Sequence, residues 1–142
     1  MNKELRPLLV TMPIQIKGYD IDVMGIVSNI VYIRWVEDLR MKFLDLYWPF
    51  EEMLKKDQSP ILAETHVQYK IPLTIYDRPV GQLWISDLGK AKWAVSFEIA
   101  SEKGIHCKGQ QNGYFFDLKK KRPVPLPDEL KEQYRRETGN RN

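Results

Sequence analysis

The chain carries a single cysteine, Cys107, and only two histidines, His66 and His106. One cysteine excludes an internal disulfide and suits a reducing compartment, so a cytoplasmic protein is expected. A cysteine nucleophile needs a histidine partner. His106 adjoins Cys107, but neighbours along a strand point to opposite faces, so Cys107 reads as a small strand residue. Two histidines without acids at ligand spacing do not suggest a zinc site. No apolar run approaches the ~18 residues of a membrane span. The opening stretch, MNKELRPLLVTMPIQIK, has too short an apolar part for a secretion signal. There is no Gly-x-Ser-x-Gly elbow, no glycine-rich phosphate loop, no internal repeat and no low-complexity segment. The net charge is only +3, and the excess is concentrated at Lys119, Lys120, Lys121 and Arg122. Duplex nucleic acid requires a broader basic face. A solvated turn or a small phosphorylated ligand accounts for this run equally well.

What is present is a core-forming composition. The 142 residues are 43% hydrophobic and 29% charged, with four Trp, seven Tyr and five Phe. One globular domain over residues 1–142 is expected, with its core at about 11–118 and a tail from 119 onward.

The pattern begins with a strand from Thr11 to Lys17, where Met12, Ile14 and Ile16 alternate with polar residues. A loop with two acids and two glycines follows, Gly18 to Gly25. Ser28 or Asn29 can cap the one long helix. Its apolar stripe is Tyr32, Trp35, Val36, Leu39, Phe43, Leu46 and Tyr47, and Pro49 stops it. Residues Glu51 to Ser59 read as a charged connector whose Glu51 to Lys56 part can hold a helical turn. Ile61, Ala63, Thr65, Val67, Tyr69 and Ile71 alternate with polar positions until Pro72. Strands are then expected from Val80 to Leu88, around Lys92 to Ile99, and from Ile105 to Leu118, with turns at Tyr76–Pro79, Gly89–Lys90 and Lys103–Gly104. Pro123 to Pro127 cannot hold a regular strand, and Asp128 to Arg136 reads as a short helix. The expected fold is α+β: one helix on a curved antiparallel sheet of about five strands, the last four forming a meander. One helix covers such a sheet only in part, which predicts a homodimer or a larger oligomer.

The acidic loop holds the most chemistry. Asp22 lies just before a helix start, where unpaired amides carry partial positive charge and can hold an oxyanion. Gly25 lets the backbone approach a ligand. An acid there can attack an acyl carbon or activate water, with no metal or organic cofactor. Spacing alone also allows a structural reading, in which Asp20 and Asp22 are turn and capping residues. His66, on the polar face of its strand with Glu64 and Gln68, reads as an exposed strand residue more readily than as a second active-site group.

The stretch Tyr19-Asp20-Ile21-Asp22-Val23-Met24-Gly25-Ile26-Val27-Ser28-Asn29-Ile30-Val31-Tyr32-Ile33-Arg34-Trp35-Val36-Glu37 resembles the signature of the hydroxybenzoyl-CoA thioesterase family. Tyr69-Lys70-Ile71-Pro72 followed by Asp77 is similar to that family's Tyr-x-x-Pro turn, and Phe116-Asp117-Leu118 with Arg122 to Pro127 is similar to its last strand and proline-rich exit. The resemblance implies a hot-dog fold, a cytoplasmic dimer or tetramer, and active sites at subunit interfaces. It assigns catalysis to Asp22 and the carbonyl-binding amide to Asn29, with Gly25, Ile26, Val27 and Ser28 lining the approach. Relatives often carry Gly-His-Val-Asn-Asn where this chain has Gly25-Ile26-Val27-Ser28-Asn29, so no histidine assists at position 26. The CoA phosphates would rest on surface cations, with Lys119, Lys121, Arg122, Lys90 and Lys92 as candidates.

The implied function is hydrolysis of an acyl-CoA thioester, with an acyl-carrier-protein thioester as the nearest variant. A non-catalytic acyl-binding hot-dog module is the competing class, against which Asp22 argues, since an acid beside an apolar slot costs desolvation energy. A hot-dog dehydratase would resemble a pattern with an Asp and His pair, and the His is missing here.

Overall fold

A computed structural model describes residues 5–139. The part of the opening stretch at residues 1–4, read above against a secretion signal, lies outside the described residues, as does the end of the tail at 140–142.

The strands are β1 (Val10–Pro13), β2 (Gln58–Tyr69), β3 (Val80–Leu88), β4 (Lys92–Ser101), β5 (Gly104–Asp117) and β6 (Arg122–Pro123). The helices are α1 (Asn29–Tyr47), α2 (Phe50–Lys55) and α3 (Asp128–Thr138), and a single 3-10 turn covers Gly18–Asp20. All strand pairs are antiparallel, and the sheet order is β1-β3-β4-β5-β2, with β6 pairing to β5. Helix α1 packs against β1 and β3. A long helix on one curved antiparallel sheet is the hot-dog arrangement.

The meander holds for β3, β4 and β5 only. The expected β2–β3 neighbour pair is replaced by β2 on the far edge beside β5, and β1 occupies the edge of β3. The segment between Tyr69 and Val80 is too long and proline-interrupted for a tight hairpin. It carries the chain across the sheet end instead.

Strand β1 starts earlier and ends sooner than its alternation predicts. It pairs from Val10↔Leu83 to Pro13↔Val80 and then departs. The Ile14 N–H still donates to the Pro79 carbonyl at 3.0 Å, and Ile14 and Ile16 keep their buried places beyond the paired strand. In α1, Leu46 is 59% exposed although it falls on the predicted stripe, while Leu44 is buried. Near its C-terminus the helix packs toward Trp48, whose ring meets Phe115 at 4.9 Å, and the covered face rotates with it. Strand β2 carries a bulge between Leu62 and Glu64. The extra residue, Ala63, breaks the predicted alternation, so Pro60 and Leu62 join Thr65 on the helix side. The proline-rich exit does form a two-residue strand, β6, because Pro123 sits on the sheet edge where no donor is required.

The core cluster includes Val36, Leu39, Leu83, Phe97, Ile99 and Phe115. It extends beyond residues 11–118, since Leu8, Leu126 and Leu130 are buried in it. Gly109 and Gly113 of β5 are required by close approach: a Cβ on either would collide with the backbone of β2 and with the ring of Phe97 or Trp93. Both glycines let large aromatics of β4 lie flat across the sheet.

Candidate active site

The loop before α1 is a small, closed structure. Ile21 bridges Val27 across it, and the Asp22 N–H donates to the Ile26 carbonyl at 2.8 Å. The Gly25 N–H returns to the Asp22 carbonyl at 3.0 Å. Gly25 takes φ +80°, the left-handed region, which accounts for glycine there. The two acids of the loop have different surroundings. Asp20 is buried, its Oδ2 accepts the Lys17 N–H at 2.9 Å, and its carbonyl accepts the Ser28 N–H at 3.0 Å. Asp20 therefore fixes the entry to the helix. Asp22 is exposed, and its Oδ1 accepts the N–H of Met24 at 2.8 Å and of Ile26 at 3.4 Å.

Of the two residues expected to cap the helix, Ser28 is the cap and Asn29 opens the helix. The cap makes no side-chain hydrogen bond to the helix, so the first-turn amides depend on the backbone and solvent. The Val27 side chain is buried in the core, and its N–H donates to the Leu73 carbonyl. Gly25 and Asn29 are exposed, and Ile26 and Ser28 are half-buried.

Two tyrosines that the sequence did not connect to the site, Tyr32 of the apolar stripe and Tyr69 of the Tyr-x-x-Pro turn, stand at this helix start. Tyr69, at the end of β2, donates its hydroxyl to the Asn29 carbonyl at 3.2 Å. Tyr32 packs on Tyr69 with ring centroids 5.5 Å apart and on Trp35 at 5.4 Å. Burial pushes the Tyr32 hydroxyl up to about 12, so it stays protonated at neutral pH. The surrounding surface is apolar and open: Tyr19, Val23, Ile30 and Tyr76 are exposed, and Met24 is 77% exposed.

The basic residues lie elsewhere. Asp117 accepts the N–H groups of Lys119 and Lys120, Lys119 Nζ pairs with Asp57 at 3.2 Å, and Asp117 faces Gln58 at the start of β2. Lys90 and Lys92 belong to the same sheet end, where the Ala91 carbonyl accepts from Phe115. The loop of Asp22 is at the other end, by Tyr69. Strand β2 has twelve residues, so these ends are separated by about 35 Å. Within one chain, Lys119, Lys121 and Arg122 are not brought to Asp22. His66 is exposed on the sheet face opposite α1, with Nε2 3.6 Å from Glu64, and plays no part in the loop. Cys107 is fully buried, and burial pushes its thiol up to about 12, so it is not a thiolate nucleophile.

A second group of polar side chains stands midway along α1. Arg40 donates to Gln111 Oε1 at 3.1 Å and to Glu37 at 2.9 Å, and Gln111 donates to Thr65 at 3.1 Å. Gln111 is fully buried on the helix side of β5.

Residues 17–134 match the family model of the Thioesterase-like superfamily. A Bacillus subtilis (strain 168) protein described as "Putative acyl-CoA thioesterase YneP" is 26% identical over 113 residues, covering 78% of this chain and 82% of that protein. The fold is similar to Slr0204, a 1,4-dihydroxy-2-naphthoyl-CoA thioesterase from Synechocystis, with TM-score 0.79 and 16% identity over 89% of this chain and 95% of that one. It is also similar to the Staphylococcus aureus protein SAV2348 in complex with CoA, with TM-score 0.85 and 16% identity over 100% of this chain and 90% of that one. The structural likeness establishes the fold, and the sequence match over residues 17–134 establishes that this chain belongs to the Thioesterase-like superfamily.

Proposed function

We propose that this thioester hydrolase cleaves acyl-CoA thioesters with Asp22 as its catalytic carboxylate. The observation that carries the reading is the position of Asp22: an exposed carboxylate, oriented by two amides of its own turn, in the loop that leads into α1. The substrate carbonyl oxygen accepts from the helix-start amide of Asn29, which holds the negative charge that develops on attack. Asp22 either takes a proton from the attacking water or attacks the carbonyl carbon itself. In the first route the proton taken from water passes to the departing sulfur, the C–S bond breaks and the hydroxyl of water ends on the acid. In the second the C–S bond breaks as an acyl–Asp22 anhydride forms, and water then cleaves that anhydride, freeing the acid and the Asp22 carboxylate and leaving a proton for the CoA thiolate. Gly25, Ile26 and Ser28 line the approach, while Val27 contributes only its backbone. Acyl-CoA as substrate is supported by the description of the Bacillus subtilis relative and by the CoA complex among similar structures.

The active unit is a homodimer formed by antiparallel pairing of β2 edges. Strand β2 is a long, open edge, with Ile61, Leu62 and Tyr69 exposed. Antiparallel pairing sets the start of one β2 against the end of the other. The 119–122 turn of a second copy, with Lys119, Lys121 and Arg122, then approaches the Asp22 loop and can receive the CoA phosphates. The cytoplasm, where acyl-CoA is made and used, is the proposed location.

The test is thiol release from short, long and aromatic acyl-CoAs by the native protein and by Asp22→Asn. Loss of about 100-fold or more in kcat is expected for the variant. Undiminished hydrolysis would remove Asp22 from the mechanism, and hydrolysis of no CoA or carrier-protein thioester would favour the non-catalytic acyl-binding module.

A further inference from the structure

The crossover that follows β2 holds the Asp22 loop where it enters α1. Tyr69 donates its hydroxyl to the Asn29 carbonyl, and the Leu73 carbonyl accepts the Val27 N–H at 2.9 Å. Val27 also bridges Ile21, and the neighbouring Ile26 carbonyl accepts the Asp22 N–H. The loop thus closes on residues 69–73, and its position depends on what holds them.

Backbone pairing alone holds them weakly. The Ile71 N–H meets the Ile105 carbonyl at 3.4 Å, and Pro72 has no N–H with which to extend the ladder. His106 of β5 takes over. Its side chain is fully buried, with Nδ1 2.8 Å from the Ile71 carbonyl oxygen and Nε2 2.6 Å from Ser101 Oγ. A carbonyl only accepts, so Nδ1 carries the hydrogen. In the neutral ring Nε2 then accepts from the Ser101 hydroxyl. Ser101 Oγ in turn accepts the Lys103 N–H at 3.2 Å. An apolar side chain would fill this place without the desolvation cost of an imidazole, and it would take the donor away from the Ile71 carbonyl.

A second arm leaves the same turn. Lys103 Nζ pairs with Asp77, whose Oδ2 accepts the Thr74 N–H at 2.8 Å. That N–H belongs to the same peptide group as the Leu73 carbonyl that holds Val27. Gly104 packs directly on the crossover, since a Cβ there would lie 3.1 Å from the Ile71 side chain. The β4–β5 turn therefore grips the crossover at Ile71 and at Thr74. Between those grips Pro72 has its φ fixed by its ring, so the segment has little freedom to move.

We infer that His106, its tautomer set by Ser101, is a positioning residue for thioester hydrolysis, given the reading of Asp22 as the catalytic carboxylate. It holds the Ile71 carbonyl and so fixes the crossover on which the Asp22 loop closes. It touches neither Asp22 nor the acyl carbon. Its loss leaves the carboxylate in place in the chain but loosens its placement against the helix-start amide.

The experiment compares the native protein with His106→Leu, His106→Asn and Ser101→Ala. Leucine removes both ring nitrogens, asparagine keeps an N–H donor near the place of Nδ1, and the alanine variant removes the donor to Nε2. Amide hydrogen exchange, read residue by residue by NMR, is expected to quicken at Val27 and Asp22 by at least about tenfold in His106→Leu, beyond any change shared by Phe97 and Ile99 of β4. In the same variant kcat is expected to fall about tenfold with KM within a few-fold of native, and His106→Asn is expected to recover most of that loss. A His106 that only stabilises the fold would quicken exchange in β4 as much as in the loop and leave kcat native in the folded variant. Either result would overturn the assignment. The His106 nitrogen signals should show hydrogen on Nδ1 and none on Nε2, and the opposite tautomer would overturn it too. Where His106→Leu does not fold, Ser101→Ala decides: quicker exchange at Val27 and Asp22 supports the brace, and native exchange there overturns it. Exchange and tautomer need no turnover. A native chain that releases no thiol would therefore defeat the hydrolase reading, while the brace on the loop is judged by its own signals.

Discussion

The Met24 N–H donates a 2.8 Å hydrogen bond to Asp22 Oδ1, closing a turn around the carboxylate that stands before α1. The bond orients the side chain. It also makes a structural and a catalytic role for Asp22 compatible, which spacing alone could not separate.

The two loop acids are separable by substitution. Asp22→Asn keeps the Oδ1 acceptor, so its stability should change by less than about 0.5 kcal/mol while kcat falls about 100-fold or more. Asp20→Asn removes charge from a buried acceptor of the Lys17 N–H. It should cost about 1 kcal/mol in denaturant unfolding and leave kcat within a few-fold of native. The reverse pattern, with Asp20→Asn inactive and Asp22→Asn active, would exchange the assigned roles.

The open edge of β2 gives a prediction about assembly. Val67→Lys plants a charge on the edge strand of the proposed dimer. Sedimentation should show a dimer for the native chain and a shift toward monomer for the variant, with hydrolysis falling in parallel. A monomeric native chain with full activity would rule out the paired-edge site.

Gly113 marks a close approach. A methyl group there meets the Ile61 carbonyl oxygen and lies 2.8 Å from the Trp93 ring. Gly113→Ala should therefore destabilise by about 1–3 kcal/mol or more, through overpacking and displacement of β2 from β5. Thermal unfolding measures it, and an unchanged midpoint would show that the two strands separate there at little cost.

Asp77 ties two turns together. Its carboxylate pairs with Lys103 Nζ at 2.6 Å and accepts the Thr74 N–H at 2.8 Å. The Lys103 bond first, then the Thr74 amide, hold this carboxyl below the usual carboxylate range. Stability from a depressed carboxylate is present above its unfolded value, about 3.9, and is lost as pH falls through the lower folded value. Asp77→Asn should thus lower the unfolding midpoint at neutral pH, with the gap to native shrinking below about pH 4. A gap that persists undiminished in acid would place the effect in packing, not charge.

Local chemistry in the sequence determined much of this protein. The apolar spacing of Tyr32, Trp35, Val36, Leu39 and Phe43 specified α1, the Ser28-Asn29 pair its start and Pro49 its end. Alternation specified Trp93, Val95, Phe97 and Ile99 as the buried face of β4. The motif around Asp22 pointed to the family, because a tight turn before a helix needs a left-handed glycine and amide acceptors within a few residues of each other. Long-range placement was not legible. Nothing local in β2 states that it pairs with β5 instead of β3, that Ala63 is an inserted bulge residue, or that Leu46 overhangs the core. Those outcomes depend on which edge remains free once the rest of the sheet has formed. The same holds for the site. Asp22 could be read from the sequence, but the meeting of Arg40, Gln111 and Thr65, and the arrival of Tyr69 at Asn29, could not. Those residues lie far apart along the chain, and only packing of the helix against the sheet decided that they touch.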